Sequence, residues 1–361
     1  MPTFNGTPAT EPEVVAGDSP IYAQVYCTAA EVDEDLNLLG SVKPEVVMDK
    51  IRAASEYLQK NIGWFIPVTM TRRFNGNGLR KLHIPPLLAL TGAITNDDRT
   101  LTAADFVYQP NGRFWGHGPY VRLDVHDQTA TQLDVWIAKD EGVVIPGRWG
   151  LYELSLDTGA TVADASGQSA SQLTLQVNNG ALVSPGMVLL IGTEQEEVTG
   201  WSTPTTNVTT LGAAWDATSS EVTLSAAALS IGEIGRAGLE QFKVLDKNGT
   251  LYYVARGYNK TKQTAHSSGS QVDVYRTVTV TRGVNGTTAA GHTNGTAISR
   301  YETPDDLNYL CRQIAALMLK KAQGGFAGKT GNDDLGTVTY HNEFPMVAMK
   351  EIKNNYRIPR L

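Results

Sequence analysis

The chain repeats itself at a fixed interval. Val254-Ala255-Arg256-Gly257-Tyr258-Asn259-Lys260-Thr261 aligns with Val280-Thr281-Arg282-Gly283-Val284-Asn285-Gly286-Thr287. The offset continues through His266 and His292, Gly269 and Gly295, Val272 and Ile298, and Tyr275 and Tyr301, each pair 26 residues apart. A constant offset over this many positions marks duplicated β-units. A looser match precedes them: Leu173-Thr174-Leu175 with Gly186 to Val198 resembles Val222-Thr223-Leu224 with Gly232 to Val244. The two matches together allow one unit to be nested inside another. Arg256, Gly257, His266, Arg282, Gly283 and His292 are therefore expected to serve the fold of the repeat.

Composition agrees with a turn-rich β-protein. The 361 residues include 35 Gly and 16 Pro, and only 19% are charged. Coiled coils, helical solenoids and disordered chains need more charge. The length favours two or three domains. No apolar run is long enough for a membrane span, and the N-terminus shows no basic and apolar leader pattern, so synthesis in the cytoplasm is expected. Cys27 and Cys311 lie far apart and read as two buried small hydrophobes, with no disulfide framework or zinc site.

Helical grammar is confined to the two ends. Thr28-Ala29-Ala30-Glu31 is a capping box, which predicts a helix to about Asn37. Pro44 suits the first position of a second helix, whose apolar stripe is Val47, Ile51, Ala54 and Leu58 before Gly63. Thr303-Pro304-Asp305-Asp306 opens a third, with Leu307, Leu310, Cys311, Ile314, Leu317 and Met318 on one face and Gly324-Gly325 at its end. A short fourth helix is expected over 344–356. Between these lie strand patterns. Leu82 to Leu88 reads as an edge strand because Pro85 and Pro86 cannot donate to a ladder, and Leu133-Asp134-Val135-Trp136-Ile137 reads as another strand.

The expected class is thus α+β. Residues 1–20 are a flexible arm. Residues 21–63 and 301–361 form a small helical bundle with a C-terminal tail. Residues 64–150 form a β-rich domain, and 151–300 an inserted β-domain with internal repeats.

The net charge of −7 is uneven. Residues 1–42 carry seven acids and no Lys or Arg, and residues 151–250 carry eleven acids against three bases. With no dense basic stripe, sequence-specific nucleic-acid binding is not expected, although an acidic surface can border DNA without holding it.

Motifs for chemistry are weak. Gly324-Gly325-Phe326-Ala327-Gly328-Lys329-Thr330 resembles a phosphate loop, but the spacing is one residue short and it follows a helix rather than a strand. Asp124 and His126, with Asp127 and His117, have strand spacing compatible with a metal, yet a polar strand face and turn explains them. His266 and His292 occupy equivalent repeat positions, so they are expected to bond a turn rather than act in catalysis. Six Asn-x-Thr sequons, four of them Asn-Gly-Thr, read as type I′ turns entering strands. No acid, base, nucleophile or metal set converges, so neither an enzyme nor a cofactor is expected.

Three segments nonetheless carry a resemblance in their order. The first is Tyr26 to Gly63 running into Thr69-Met70-Thr71-Arg72-Arg73-Phe74. The second runs from Leu82-His83-Ile84-Pro85-Pro86 through Asp105-Phe106-Val107-Tyr108-Gln109-Pro110 and Gly118-Pro119-Tyr120 to Val144-Ile145-Pro146-Gly147-Arg148-Trp149-Gly150. The third is Arg282-Gly283-Val284-Asn285-Gly286-Thr287-Thr288-Ala289-Ala290-Gly291-His292, then Thr303-Pro304 and the last long helix. With these segments, about two thirds of its length, the chain resembles the head–tail connector (adaptor) proteins of tailed bacteriophages. It departs from smaller adaptors in the size of the 151–300 region.

The resemblance implies a virion protein in the neck, made in the host bacterial cytoplasm. It implies a homo-oligomeric ring, usually of twelve subunits, below the portal protein and above a tail or stopper protein. DNA would pass through the channel as cargo in packaging and ejection. It places the C-terminal segment on the portal, with Phe344, Met346, Ile352, Tyr356, Arg357, Ile358 and Arg360 as the docking residues. Alternatives are another neck, stopper or baseplate component, or a carbohydrate-binding β-protein.

Overall fold

A computed structural model describes residues 22–111, 118–126, 134–323, 329–332, 336–339, 345–356 and 358. The protein is mixed α+β and divides into two compact units. Of the described residues, one unit takes 22, those within 67–153, 356 and 358, and the other takes 23–66 and those within 154–355.

The second unit begins with α1 (Ala29–Asp35). Both reciprocal bonds of the capping box form, Glu31 N to Thr28 Oγ1 and Thr28 N to Glu31 Oε2. The helix stops before Asn37, where it was expected to end. Asn37 turns left-handed (φ 48°), and the Leu38 amide reaches back to the Asp33 carbonyl, a Schellman-type stop with Asn in the usual glycine place. The next helix, α2 (Pro44–Asn61), has Pro44 in its first turn and buries Val47, Ile51, Ala54 and Leu58.

The first unit holds one antiparallel sheet. Its strands are β1 (Val68–Phe74), β2 (Lys81–Leu90), β3 (Ile94–Asn96), β4 (Arg99–Leu101), β5 (Phe106–Gln109), β6 (Tyr120–Val125) and β7 (Val143–Trp149). The order is β4-β3-β7-β2-β6-β5, with β1 also on β7. Strand β2 is therefore interior, not an edge. Pro85 and Pro86 fall inside a register shift between His83 and Leu87, so neither position needs a donor and the ladder resumes on each side. Nor do residues 134–137 form a strand. Trp136 instead plugs the core, completely buried, with its amide on the Leu79 carbonyl and its indole N–H on the Leu123 carbonyl. Burying a large ring with its N–H satisfied outweighs a ladder there.

The second unit continues with β8 (Ser155–Thr161), β9 (Thr174–Gln176), β10 (Val188–Ile191) and β11 (Glu194–Trp201). Then come β12 (Thr205–Thr210), β13 (Glu221–Thr223), β14 (Ile234–Ala237), β15 (Glu240–Asn248), β16 (Leu251–Arg256) and β17 (Gln271–Val274). Last are β18 (Thr277–Thr281) and β19 (Ala297–Tyr301).

These twelve strands make two six-stranded sheets, ordered β8-β19-β10-β11-β18-β9 and β12-β17-β14-β15-β16-β13. Position by position the two orders are the same, and the registers match. Glu194 faces Ile191 as Glu240 faces Ala237. Val198 faces Val280 as Val244 faces Val254, and both ladders slip by one residue immediately after that pair. The inner copy thus enters between β11 and β18 of the outer one. Each sheet buries its own apolar cluster, around Leu175, Leu189, Val278 and Ile298 in the outer copy and Trp215, Phe242, Tyr252 and Val272 in the inner.

The chain ends with α3 (Asp305–Gln323), the hairpin β20 (Lys329–Asn332) with β21 (Gly336–Thr339), and α4 (Met346–Asn355). Helix α3 packs on α1, α2 and α4, burying Leu307, Leu310, Cys311 and Ile314. Among the described residues no helix is long and apolar enough to cross a membrane.

The Asn-Gly turns are not of one kind. At Asn285-Gly286 both residues are left-handed (φ 54° and 75°), as a type I′ turn requires, whereas at Asn248-Gly249 and Asn294-Gly295 only the glycine is.

Candidate functional site

The repeated Arg-Gly-x-Asn-x-Thr and the later His converge on a carboxylate that lies on another strand. In the outer copy Arg282 forks onto Glu194, Nε to Oε1 and Nη2 to Oε2, both at 2.7 Å. The remaining guanidinium donors reach the carbonyls of Ser169, Gln172 and Ala290. His292 Nε2 lies 2.9 Å from Glu194 Oε2, and the Gly283 and Ala290 amides donate to the same carboxylate. In the inner copy Arg256 forks onto Glu240 at 2.8 and 2.7 Å and reaches the carbonyls of Asp216, Ser219 and Thr264. His266 Nε2 lies 2.9 Å from Glu240 Oε2. One arginine therefore staples two loops to a buried strand in each copy.

The turn after the arginine is shared too. Gly257 and Gly283 are left-handed, as are Asn259 and Asn285 two residues on (φ 55° and 54°). Thr261 and Thr287 accept from the amides of Gln241 and Gln195, and each asparagine Nδ2 donates to the side chain of that same glutamine at 2.8 Å.

The two turns then grip different parts of the N-terminal segment. Asn285 brackets Ala23, accepting from its amide at 2.9 Å and donating to its carbonyl at 3.2 Å. In the inner copy the Lys260 amide donates to the Gly40 carbonyl, and Tyr258 Oη donates to Asp33 Oδ2 at 3.0 Å.

Electrostatics follow from these contacts. Burial would push Glu194 and Glu240 upward, but the arginine fork, the backbone amide and the histidine together hold both below the usual carboxylate range. Every oxygen of Glu194 is already engaged, so it is no general base. Glu196 differs: burial pushes it up to about 7, against attraction by Arg282 and a Gln168 bond. Its Oε2 accepts from Gln168 Nε2 at 3.2 Å. Its Oε1, and the Oε1 of Gln168, accept no hydrogen bond.

Glu194, Glu196 and His292 bring ligand atoms within 4.8 Å of one another, the geometry of a cation site. The donor set does not fit one. Arg282 Nε lies 2.7 Å from Glu194 Oε1 and 2.9 Å from Glu196 Oε1, so a fixed positive charge already fills the centre. The inner copy builds the same fork with Phe242 in place of Glu196, with no third ligand.

The repeat positions singled out from sequence thus meet in two structural staples; the histidine rings bond the staple carboxylates, and His266 Nε2 also lies 3.3 Å from Thr264 Oγ1 in the adjoining loop. Glu194, Glu240, Glu196 and Gln168 were not singled out. The shared Gly-x-Glu-Gln of 192–195 and 238–241 was the available signal.

Other sequence candidates are scattered. Asp124 is paired with Arg122, and His126 is exposed with its amide on the Asp105 carbonyl, while His117 and Asp127 lie outside the described residues. Of the phosphate-loop-like segment, 324–328 lie outside them as well, and Lys329 and Thr330 belong to β20. Among the docking residues, Phe344, Arg357 and Arg360 lie outside. Met346 is exposed with its sulfur 3.3 Å from Tyr57 Oη, Ile352 is buried, and Tyr356 and Ile358 are partly buried.

A cleft with about 690 Å³ of space, continuous with solvent, runs between α1, α2 and the two sheets. Its ionisable groups satisfy one another: Lys243 lies 3.9 Å from Asp33 and over the Tyr258 ring. Burial, then Asp33, push the Tyr258 phenol above its ordinary range. Comparison with protein-family models, curated proteins and solved structures yields no match.

Proposed function

We propose that the chain is a structural virion protein, a head–tail connector (adaptor) that forms a ring below the portal, extends the DNA channel and offers the tail its attachment site. In this reading the helices from both chain ends form one bundle, and the β-domains are inserted between them. The observation that carries it is the meeting of the two ends: Thr303 Oγ1 donates to the Tyr26 carbonyl at 3.0 Å and Asn308 Nδ2 to the same oxygen at 3.1 Å. The connector resemblance needs that arrangement, with its first and third segments adjacent and its second between them in sequence. The spending of the buried charges on loop staples supports a scaffold over an enzyme. The acidic 151–250 stretch suits a particle through which DNA slides without sticking.

The test is direct. Purified protein mixed with portal protein is imaged by negative stain. Rings or caps on the portal are the expected outcome. A strictly monomeric protein that leaves portal particles bare at high concentration overturns the proposal. Deletion of 343–361 should leave the β-domains folded and abolish docking, and full docking by the truncated chain would refute the role given to the tail.

A further inference from the structure

Two cysteines separated by almost the whole chain meet in the core. Cys27 Sγ lies 3.2 Å from Cys311 Sγ, and both residues are buried. Their backbones are held against one another. The segment carrying Cys27 is fixed by the Tyr26 amide on Ser55 Oγ (3.1 Å), by the Tyr26 carbonyl on Thr303 and Asn308, and by the Ala29 amide on the Pro185 carbonyl. Cys311 sits on α3 with Ser55 Oγ 3.4 Å from its sulfur. A disulfide needs an S–S separation near 2.05 Å, and the two sulfurs already stand in direct contact at 3.2 Å.

We propose that Cys27 and Cys311 are an intramolecular disulfide site, open as thiols in a reducing compartment and closed by a small organic disulfide outside it. The chemistry balances. One cysteine, as thiolate, attacks the small disulfide and releases one small thiol. The other cysteine sulfur attacks the resulting mixed disulfide and releases the second. The two electrons and two protons leave on the released thiols. Closure ties the segment before α1 to α3 and makes a covalent loop that contains the seven-stranded sheet and both six-stranded sheets. The adjacent Cys311 sulfur and burial hold the Cys27 thiol well above its ordinary range. Closure is therefore slow in the resting fold and is gated by local opening. The inference stands whether or not the connector reading holds.

The experiment treats the full-length protein with dithiothreitol or with oxidised glutathione over a day, from room temperature to just below its melting transition. Each sample is then unfolded in N-ethylmaleimide and weighed intact. The reduced sample should carry two labels. The oxidised sample should carry none, lose the mass of two hydrogens, remain one chain, and yield a linked Cys27–Cys311 peptide after digestion. It should also melt higher than the reduced sample. Two labels after every oxidising treatment, a stable glutathione adduct on either cysteine, or a cross-link between chains overturns the proposal. Cys27→Ala serves as the control and should take one label without a melting shift on oxidation. These readouts come from the wild-type chain, so they hold even if that variant folds poorly.

Discussion

Glu196 and Phe242 occupy one position in two copies of the same sheet. Each lies two residues beyond the staple carboxylate, each is completely buried, and each faces the matching residue of the neighbouring strand, Leu189 for Glu196 and Gly235 for Phe242. The pairs are volume-compensated: a long side chain opposite a carboxylate, and a glycine beneath a phenyl ring. By backbone pairing Gln168 bridges His292 as Trp215 bridges His266, and Arg256 lies 3.8 Å over the Trp215 ring. The outer copy thus has a polar pair, Gln168 and Glu196, where the inner copy has an aromatic one.

That difference should make the outer copy sensitive to pH. Glu196 titrates near 7 in the fold against an ordinary 4.5, so the fold prefers its neutral form. Its contribution is fully present below pH 4.5 and is lost as pH rises through 7. Glu196→Gln stays neutral throughout. Its stability advantage over wild type should grow from near zero at pH 4.5 to at most about 3 kcal/mol above pH 7. Urea denaturation across that window measures it. Parallel curves for the two proteins would refute the assignment.

Removing the arginine of either staple strands a buried carboxylate. Arg256→Met and Arg282→Met should each cost roughly 3–5 kcal/mol, because an unpaired buried charge is the expensive state. Arg282→Met should cost more, since it leaves Glu194 and Glu196 facing each other; both variants should recover as pH falls, Arg282→Met by the larger amount. Thermal melts at two pH values separate the variants. Equal losses without pH dependence would contradict the pairing described.

Gly235 is required by its neighbour rather than by its backbone. A Cβ there would stand 2.3 Å from the Phe242 ring. Gly235→Ala should destabilise by about 1–3 kcal/mol. Adding Phe242→Leu should recover part of that loss, a coupling a double-mutant cycle reads directly. Strict additivity would sink the explanation.

Asn285 should matter more than its counterpart Asn259. Asn285→Ala removes both bonds to Ala23, the bond to Gln195 and a residue tolerant of left-handed φ, an expected loss of about 2–4 kcal/mol. Asn259 makes one side-chain bond, to Gln241, so Asn259→Ala should cost about half as much. Hydrogen exchange at the Ala23 amide should speed up in the first variant and not in the second.

Local chemistry was legible in the chain. The capping box at Thr28 forms as written, Pro44 opens α2, and the stripe Val47, Ile51, Ala54 and Leu58 is buried, because caps and helical periodicity act within a few residues. The offset of 26 marked Arg256 and Arg282 as equivalents, and the looser match pointed to nesting. Two readings failed where a local rule met a longer-range one. The prolines of β2 read as an edge strand, but a bulge excuses them inside the sheet. Trp136 read as a strand residue, but an enclosed indole binds better as a plug.

By itself, then, the sequence determined the repeat, the helix starts and the residues that would be equivalent. Only the tertiary structure decided which partners those residues meet: Glu194 for Arg282, Ala23 for Asn285, Cys311 for Cys27. Such pairings are set by strand register and packing between segments tens to hundreds of residues apart. A buried arginine or thiol settles wherever burial can be satisfied, and no pattern of neighbouring letters encodes that place.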